Sequence, residues 1–372
     1  MKKTLGIVVV IVVALPLLAL LVSFTSSDEQ NESWEYDDYR AISGVTDVEG
    51  ALELVEVGSQ TYVHAADLGT GTIHYGDGSS KIINVTRAHL DIYVIAGQSN
   101  TFAYLYLDPE TVDPVPAPGT AYYYGNETRP VVNEVYNPDA CSIIDIIKSD
   151  GTCRIGGFWP PMADKYHEIT GHKSYYLNVG ISGEAISTFL PGGDHWDHIE
   201  NVLHYGTSTL NPDYYTWDIY GYIWLQGESD AGMASSLYET KFIQLNNALK
   251  DGDAGIKVPK AFIVKIREES SANVSAAQIW LGENVPGVYM LTTITDSFSV
   301  DAGTMAADNV HYSQTGCNEL GVAAGEKLPD YLPPAPADVD DLEINGLLAV
   351  VPMFIIVLLF IGVASIIIRD RA

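Results

Sequence analysis

A serine, a histidine and an aspartate are the side chains whose types and surroundings best suit nucleophilic chemistry. Ser99 lies in Asp91-Ile-Tyr-Val-Ile-Ala-Gly-Gln-Ser-Asn100, where Ile92 to Ala96 is an apolar, β-prone run that Gly97 breaks. A serine just past a parallel strand sits on rigid backbone, its hydroxyl facing the crevice where α/β sheets bind ligands. That position suits a nucleophile, and equally a cap on the following helix. The second stretch is Asp308-Asn-Val-His311. An Asp three residues ahead of a His folds back as a turn. Its carboxylate accepts from the ring Nδ1–H, which fixes the tautomer and leaves Nε2 as a general base. Such pairs are common by chance. The chain order Ser…Asp…His, with the last two close together near the end of a domain, is more specific.

Two more polar stretches follow apolar runs. Trp224-Leu-Gln-Gly-Glu-Ser-Asp230 carries Gln226, whose amide suits donation to a developing oxyanion, and Glu228, which suits fixing the local hydrogen bonds. Its plainer reading is a polar turn. In Asn178-Val-Gly-Ile-Ser-Gly183 the glycines let backbone N–H groups approach a ligand, or simply make a turn. No His/Cys cluster has metal-ligand spacing, so neither a metal nor a cofactor is expected.

The elements that must position these residues alternate. Strands are expected at Leu90–Ala96, Ser174–Val179, Tyr220–Leu225, Ala261–Ile266 and Val288–Ile294. Helices are expected at Pro160–Thr170, Ser235–Lys250, Ala272–Leu281 and Ser313–Leu328. Parallel strands need crossover connections, so this pattern predicts a three-layer α/β/α domain with a five-stranded parallel sheet over residues 88–330. The Pro-, Tyr- and Gly-rich segment Asp108–Gly157 reads as a long insertion shaping the mouth of the site. Ahead of the domain, residues 28–87 read as an acidic spacer, Ser26 to Tyr39, followed by a small antiparallel β unit. His64, His74 and His89 read as surface or packing residues.

The ends differ in kind. Leu5 to Phe24 is 20 residues without a charge behind Lys2 and Lys3; Gly346 to Ile368 is 23 residues without a charge ahead of Arg369 and Arg371. Each is long enough to cross a bilayer, and the basic outer flanks put both termini in the cytoplasm and the middle of the chain outside. Residues 1–27 are thus a signal anchor or a signal peptide, 331–345 a Pro/Asp-rich linker, 346–368 a transmembrane helix and 369–372 a cytoplasmic tail. The chain has 19 Lys and Arg against 48 Asp and Glu, a formal charge of −29, and four of its basic residues lie at those outer flanks. So acidic a surface excludes nucleic acid as a partner. Cys141 and Cys153 enclose a polar-tipped loop that could close as a local disulfide, and Cys317 reads as a buried free thiol. Sequons at Asn31, Asn84, Asn126 and Asn273 are compatible with export.

Gly97-Gln-Ser-Asn100, Gln226-Gly-Glu228 and Asp308-x-x-His311, in this order, resemble the SGNH/GDSL-type hydrolases. The nearest resemblance is to the carbohydrate esterases that include sialate O-acetylesterases and acetylxylan esterases, over about Leu90 to Leu328. The resemblance implies an acyl-enzyme mechanism with Ser99 as nucleophile, His311 as base and Asp308 orienting the His. It implies an oxyanion hole made by the N–H groups of Ser99 and Gly183 and the side chain of Gln226, with Gln98, Asn100 and Glu228 in support. Two departures stand out. Glu184 follows Gly183 where relatives carry a small or hydroxyl residue, which leaves Gly180 as the neighbouring candidate, and Thr101 replaces a frequent methionine. The function so implied is a membrane-anchored extracellular esterase removing O-acetyl groups from glycans. Phe158, Trp159, Trp196 and Tyr122–Tyr124 would then stack on sugar rings or pack the core. An esterase for lipids or other small esters, and a catalytically idle glycan- or protein-binding surface domain, are the alternatives. A binding module has no need of Ser99, Asp308 and His311 together.

Overall fold

The computed structural model describes residues 32–101, 108–131 and 140–333. Both terminal apolar blocks and most of the acidic linker lie outside the described residues. Among the described residues no helix is long and apolar enough to cross a membrane.

Seven short strands come first: β1 (Glu32–Glu35), β2 (Tyr39–Arg40), β3 (Val45–Gly50), β4 (Leu52–Val57), β5 (Gln60–Ala65), β6 (Gly69–Tyr75) and β7 (Ser80–Thr86). They form a four-stranded sheet, β1-β7-β6-β3, and a three-stranded sheet, β2-β5-β4. Trp34, Leu52, Val63, Ile73, Ile83 and Val85 supply a core of their own. The expected small β unit is present, yet it begins earlier than expected. Glu32–Glu35 is no spacer; it pairs in parallel with β7 and buries Trp34. Trp34 is the only apolar side chain among these four residues and is the one fully buried; Glu32, on the same face, is half-buried and accepts from its indole N–H (2.9 Å).

The main sheet has eight strands: β8 (Ala88–Gly97), β9 (Ala121–Asn126), β10 (Arg129–Pro130), β11 (Ser142–Asp145), β12 (Lys173–Asn178), β13 (Tyr215–Leu225), β14 (Ala261–Val264) and β15 (Val288–Thr292). Their order is β10-β9-β12-β8-β13-β14-β15, with β11 also on β9. Six are mutually parallel, β9, β12, β8, β13, β14 and β15; β10 and β11 run antiparallel to β9. The expected five-stranded sheet is therefore one parallel strand short. The missing strand comes from the Asp108–Gly157 insertion, where Tyr122, Tyr123 and Tyr124 are buried within the sheet.

Helices α1 (Trp159–Thr170), α2 (Trp196–Ser208), α3 (Ser235–Asp251), α4 (Ala272–Asn284) and α5 (Gln314–Lys327) flank the sheet. The first packs on the last, and α3 packs on α4. The sequence reading lacked α2. Phe158, Trp159 and Trp196 are buried, so with the three tyrosines these aromatics pack the core and do not stack on a ligand. Cys141, Cys153 and Cys317 are all free thiols, so the loop that could have closed as a disulfide is not closed by one. Cys153 is buried and bridged to Ile147, while Cys141 stays partly accessible.

At the start of β8 the buried Asp91 accepts hydrogen bonds from Tyr166 and from His172 Nδ1 (2.8 Å), and His89 Nε2 lies 3.4 Å from its other oxygen. Burial pushes this carboxyl up, but bonds from His172, His89 and Tyr166 outweigh it and hold it below its ordinary value. The bond to Asp91 raises both histidines against the smaller opposing effect of their own burial. Groups raised on folding stabilise fully below their unfolded pKa, about 6.5 for His, and lose that contribution as pH rises through the folded value. The urea midpoint should therefore fall as pH is raised from about 6 to about 8. The double variant His89→Ala, His172→Ala should show a flatter profile; an unchanged pH profile would contradict this account.

Candidate active site

The ends of three strands make the floor. Ala96 pairs with Trp224 and Gly97 with Leu225, while Asn178 pairs with Ile95, so β12, β8 and β13 finish side by side. Gly97 has φ of +136°, and a Cβ there would stand 2.0 Å from the Leu225 carbonyl oxygen. Only glycine lets the chain leave β8 this close to its neighbour. Ser99 then opens a short 3-10 turn, Ser99–Thr101.

The residues on either side of Ser99 each fasten to a different element. Gln98 Oε1 accepts from the N–H groups of Gly227 (3.4 Å) and Ser229 (3.2 Å), just beyond β13. Thr101 accepts at its carbonyl from Trp159 Nε1 of α1 (2.9 Å). Asn100 Nδ2 donates to Glu228 Oε1 (2.9 Å) and to the Val310 carbonyl (3.1 Å), and its Oδ1 accepts from the Tyr312 N–H (3.1 Å). With its neighbours committed, the turn leaves the Ser99 hydroxyl to face His311.

The hydroxyl lies 2.9 Å from His311 Nε2, and His311 Nδ1 donates to Asp308 Oδ2 at 2.7 Å. Asp308 Oδ1 accepts from the N–H groups of Val310 and His311, both at 3.0 Å. Burial pulls the Asp308 carboxyl upward, but the bonds from the His311 ring and these N–H groups outweigh it and hold it down to about 2. It is an anion throughout the neutral range, with Nδ1–H as donor and Nε2 as acceptor for the serine proton. The structure thus brings Ser99, Asp308 and His311 together from positions more than two hundred residues apart, with Gln98, Asn100 and Glu228 around them. Burial raises Glu228, opposed by its own backbone and by the Asn100 amide. Its Oε2 has no hydrogen-bond partner among the described residues.

Gln226 is placed otherwise than its expected role requires. It is fully buried, and its Nε2 donates to the Glu184 carbonyl (3.1 Å) and to Asp230 Oδ2 (2.6 Å), which takes up both amide hydrogens. Its Oε1 accepts from Tyr238 (3.0 Å). Asp230 also accepts from the Ile186 N–H (2.7 Å), so the pair ties the 183–186 loop to the end of β13. Of the glycine candidates, the Gly180 N–H is taken by Asn178 Oδ1 (3.1 Å). Gly183 is exposed with φ of +75° and open space around its Cα. The carboxylate of Glu184 is 3.5 Å from His195 Nε2.

Sequence reasoning missed Asp230, Trp159 as a donor to the nucleophile turn, and Arg267 beyond β14. Asp230 stood inside the quoted polar stretch. Arg267 had only one weak signal, a basic residue just past an apolar strand. Among the described residues no group of three or more His, Cys, Asp or Glu side chains is arranged to hold a metal ion.

A serine backed by a His–Asp pair at the ends of parallel strands is an arrangement suited to serine-hydrolase chemistry on an α/β sheet. Residues 89–329 match the family model for SASA, carbohydrate esterase, sialic acid-specific acetylesterase, and the chain belongs to that family as a carbohydrate acetylesterase. No curated protein matches the sequence. Among solved structures the chain is similar to a protein of Arabidopsis thaliana at 14% identity, with a TM-score of 0.46 over 66% of this chain and 100% of that one. It is similar to a carbohydrate acetylesterase from Xanthomonas citri at 14% identity, TM-score 0.44, over 80% of this chain and 73% of that one. NanS is similar at 13% identity, TM-score 0.44, over 66% and 97%.

Gln226→Ala should act mainly on stability. It strips a partner from the buried Asp230 carboxylate and should cost on the order of 3 kcal/mol in urea unfolding. The folded variant should lose less than about tenfold in kcat, where removal of an oxyanion donor costs roughly 100-fold or more. A loss of that larger size at unchanged stability would restore Gln226 as an oxyanion donor.

Proposed function

We propose that Ser99, His311 and Asp308 carry the acetylesterase reaction through an acyl-enzyme. The observation that carries this reading is the unbroken chain Ser99 Oγ, His311 Nε2, His311 Nδ1, Asp308 Oδ2, with contacts of 2.9 and 2.7 Å. Ser99 Oγ attacks the acetyl carbonyl carbon of an O-acetylated sugar while His311 Nε2 takes the hydroxyl proton. The tetrahedral oxyanion is met by the N–H groups of Ser99, at the first position of its turn, and of Gly183 in the open loop. Collapse expels the sugar oxygen, which receives the proton from His311. Water, deprotonated by the same nitrogen, then releases acetate and restores Ser99. Asp308 keeps its charge and stabilises the imidazolium in both halves.

The same reading sets this domain outside the cell, tethered through the two uncharged blocks at Leu5 to Phe24 and Gly346 to Ile368. Their length and basic outer flanks support it. Residues 88–330 would then be the exported esterase domain, with the β strands of 28–87 on its N-terminal side.

Ser99→Ala and His311→Ala should each lower kcat/KM for p-nitrophenyl acetate, and for acetate release from O-acetyl sialic acid or acetylated xylan, by at least about 1,000-fold. Activity retained in Ser99→Ala would exclude the acyl-enzyme.

A further inference from the structure

We propose that Arg267 is a positioning residue of this esterase, acting through Asn309 to aim the Asp308–His311 pair; the proposal rests on the reading that Ser99 and His311 carry the reaction. Arg267 follows β14, outside every motif that marks the site, and is only 5% exposed. One terminal nitrogen donates to both the carbonyl (3.2 Å) and the side-chain Oδ1 (3.0 Å) of Asn309. The other is bonded to Glu269.

Asn309 is where such a clamp matters. It lies inside the Asp308-x-x-His311 turn with φ of +54°, one of two non-glycine residues at positive φ among the described residues. Asn is among the few side chains that tolerate this region. The inner side of the turn is tied by Asp308 Oδ1 to the N–H groups of Val310 and His311. The guanidinium holds the outer side. Asp308 and His311 flank this residue, and the 2.9 Å contact of His311 with Ser99 depends on where the turn stands. Small misplacements of a base are costly, because its hydrogen bond must exist at the moment of attack.

A guanidinium beside an acetylesterase site suggests a competing role, as an anchor for a carboxylate on an acidic sugar. The surroundings favour positioning. Arg267 lines a cleft of about 350 Å³ together with Glu228, Glu269 and Asp308. An entering carboxylate would meet three carboxyl groups and a guanidinium already bound at both terminal nitrogens.

The experiment compares full-length wild type, Arg267→Gln, Arg267→Lys and Glu269→Ala on p-nitrophenyl acetate, an O-acetylated neutral xylo-oligosaccharide and O-acetyl sialic acid. Positioning predicts that Arg267→Gln loses ~10- to 100-fold in kcat on all three with KM little changed. Arg267→Lys should recover part of the loss, since an ammonium can still reach Asn309. Glu269→Ala should stay within about threefold, as expected for an exposed ion pair. Unchanged kcat on p-nitrophenyl acetate, with a raised KM for the sialic acid ester alone, would overturn the proposal in favour of an anchor. If Arg267→Gln fails to fold, Asn309→Gly keeps the left-handed backbone and the carbonyl acceptor but removes Oδ1. It should lose about fivefold in kcat, and unchanged kcat there would overturn the proposal. Full activity in Ser99→Ala would instead refute the underlying serine mechanism, a distinguishable result.

Discussion

The side-chain amide of Asn100 is the constraint on which the site depends. It joins the Ser99 turn to the β13 exit and the histidine loop, through Glu228, the Val310 carbonyl and the Tyr312 N–H. Ser99 and His311 belong to segments 212 residues apart in sequence, and among the described residues no strand pairing joins the 308–312 loop to β8. Without a donor and an acceptor on one planar, buried amide, the loop would lose two direct hydrogen bonds to the Ser99 turn. The geometry is specific because both ends of the amide are used. An Asp would lose the donor, and an aliphatic residue would leave three polar groups without partners.

Local donors, this amide among them, explain how carboxyl groups coexist so close together at the site. Glu228 is half-buried, desolvation raises its carboxyl, and one oxygen is held by Asn100. Asp308 is anionic because its own turn supplies two N–H donors and the imidazole. Asp230 is satisfied by Gln226 and Ile186. Each carboxyl has its own local donors, so acidic residues can line the site without acting as one unscreened anionic patch.

Much of this was legible in the sequence, and the reasons it was or was not are physical. A strand, a glycine break and a serine are local features, as is the fold-back of an Asp onto a His three residues later. Both survive in the structure where the sequence put them. The β9 strand was hidden because Ala121–Asn126 is short and tyrosine-rich within a stretch full of turn formers; pairing with β12, β11 and β10 makes it a strand. Glu32–Glu35 was hidden because two of its four residues are charged and only Trp34 is apolar. Gln226 was read from its type and place, but the direction of an amide depends on partners that sequence does not reveal, here Glu184, Asp230 and Tyr238. Arg267 bonds to Asn309 in a turn contributed from elsewhere in the chain, a contact no local pattern shows.

The central claim is that one hydroxyl, made nucleophilic by the His311–Asp308 pair, performs the chemistry. The most direct test is to treat the full-length protein with a small neutral fluorophosphonate and map the labelled residue by peptide mass spectrometry. A single adduct on Ser99, absent in His311→Ala, is the predicted result. Labelling confined to another residue, or an active enzyme that takes no label, would contradict the account.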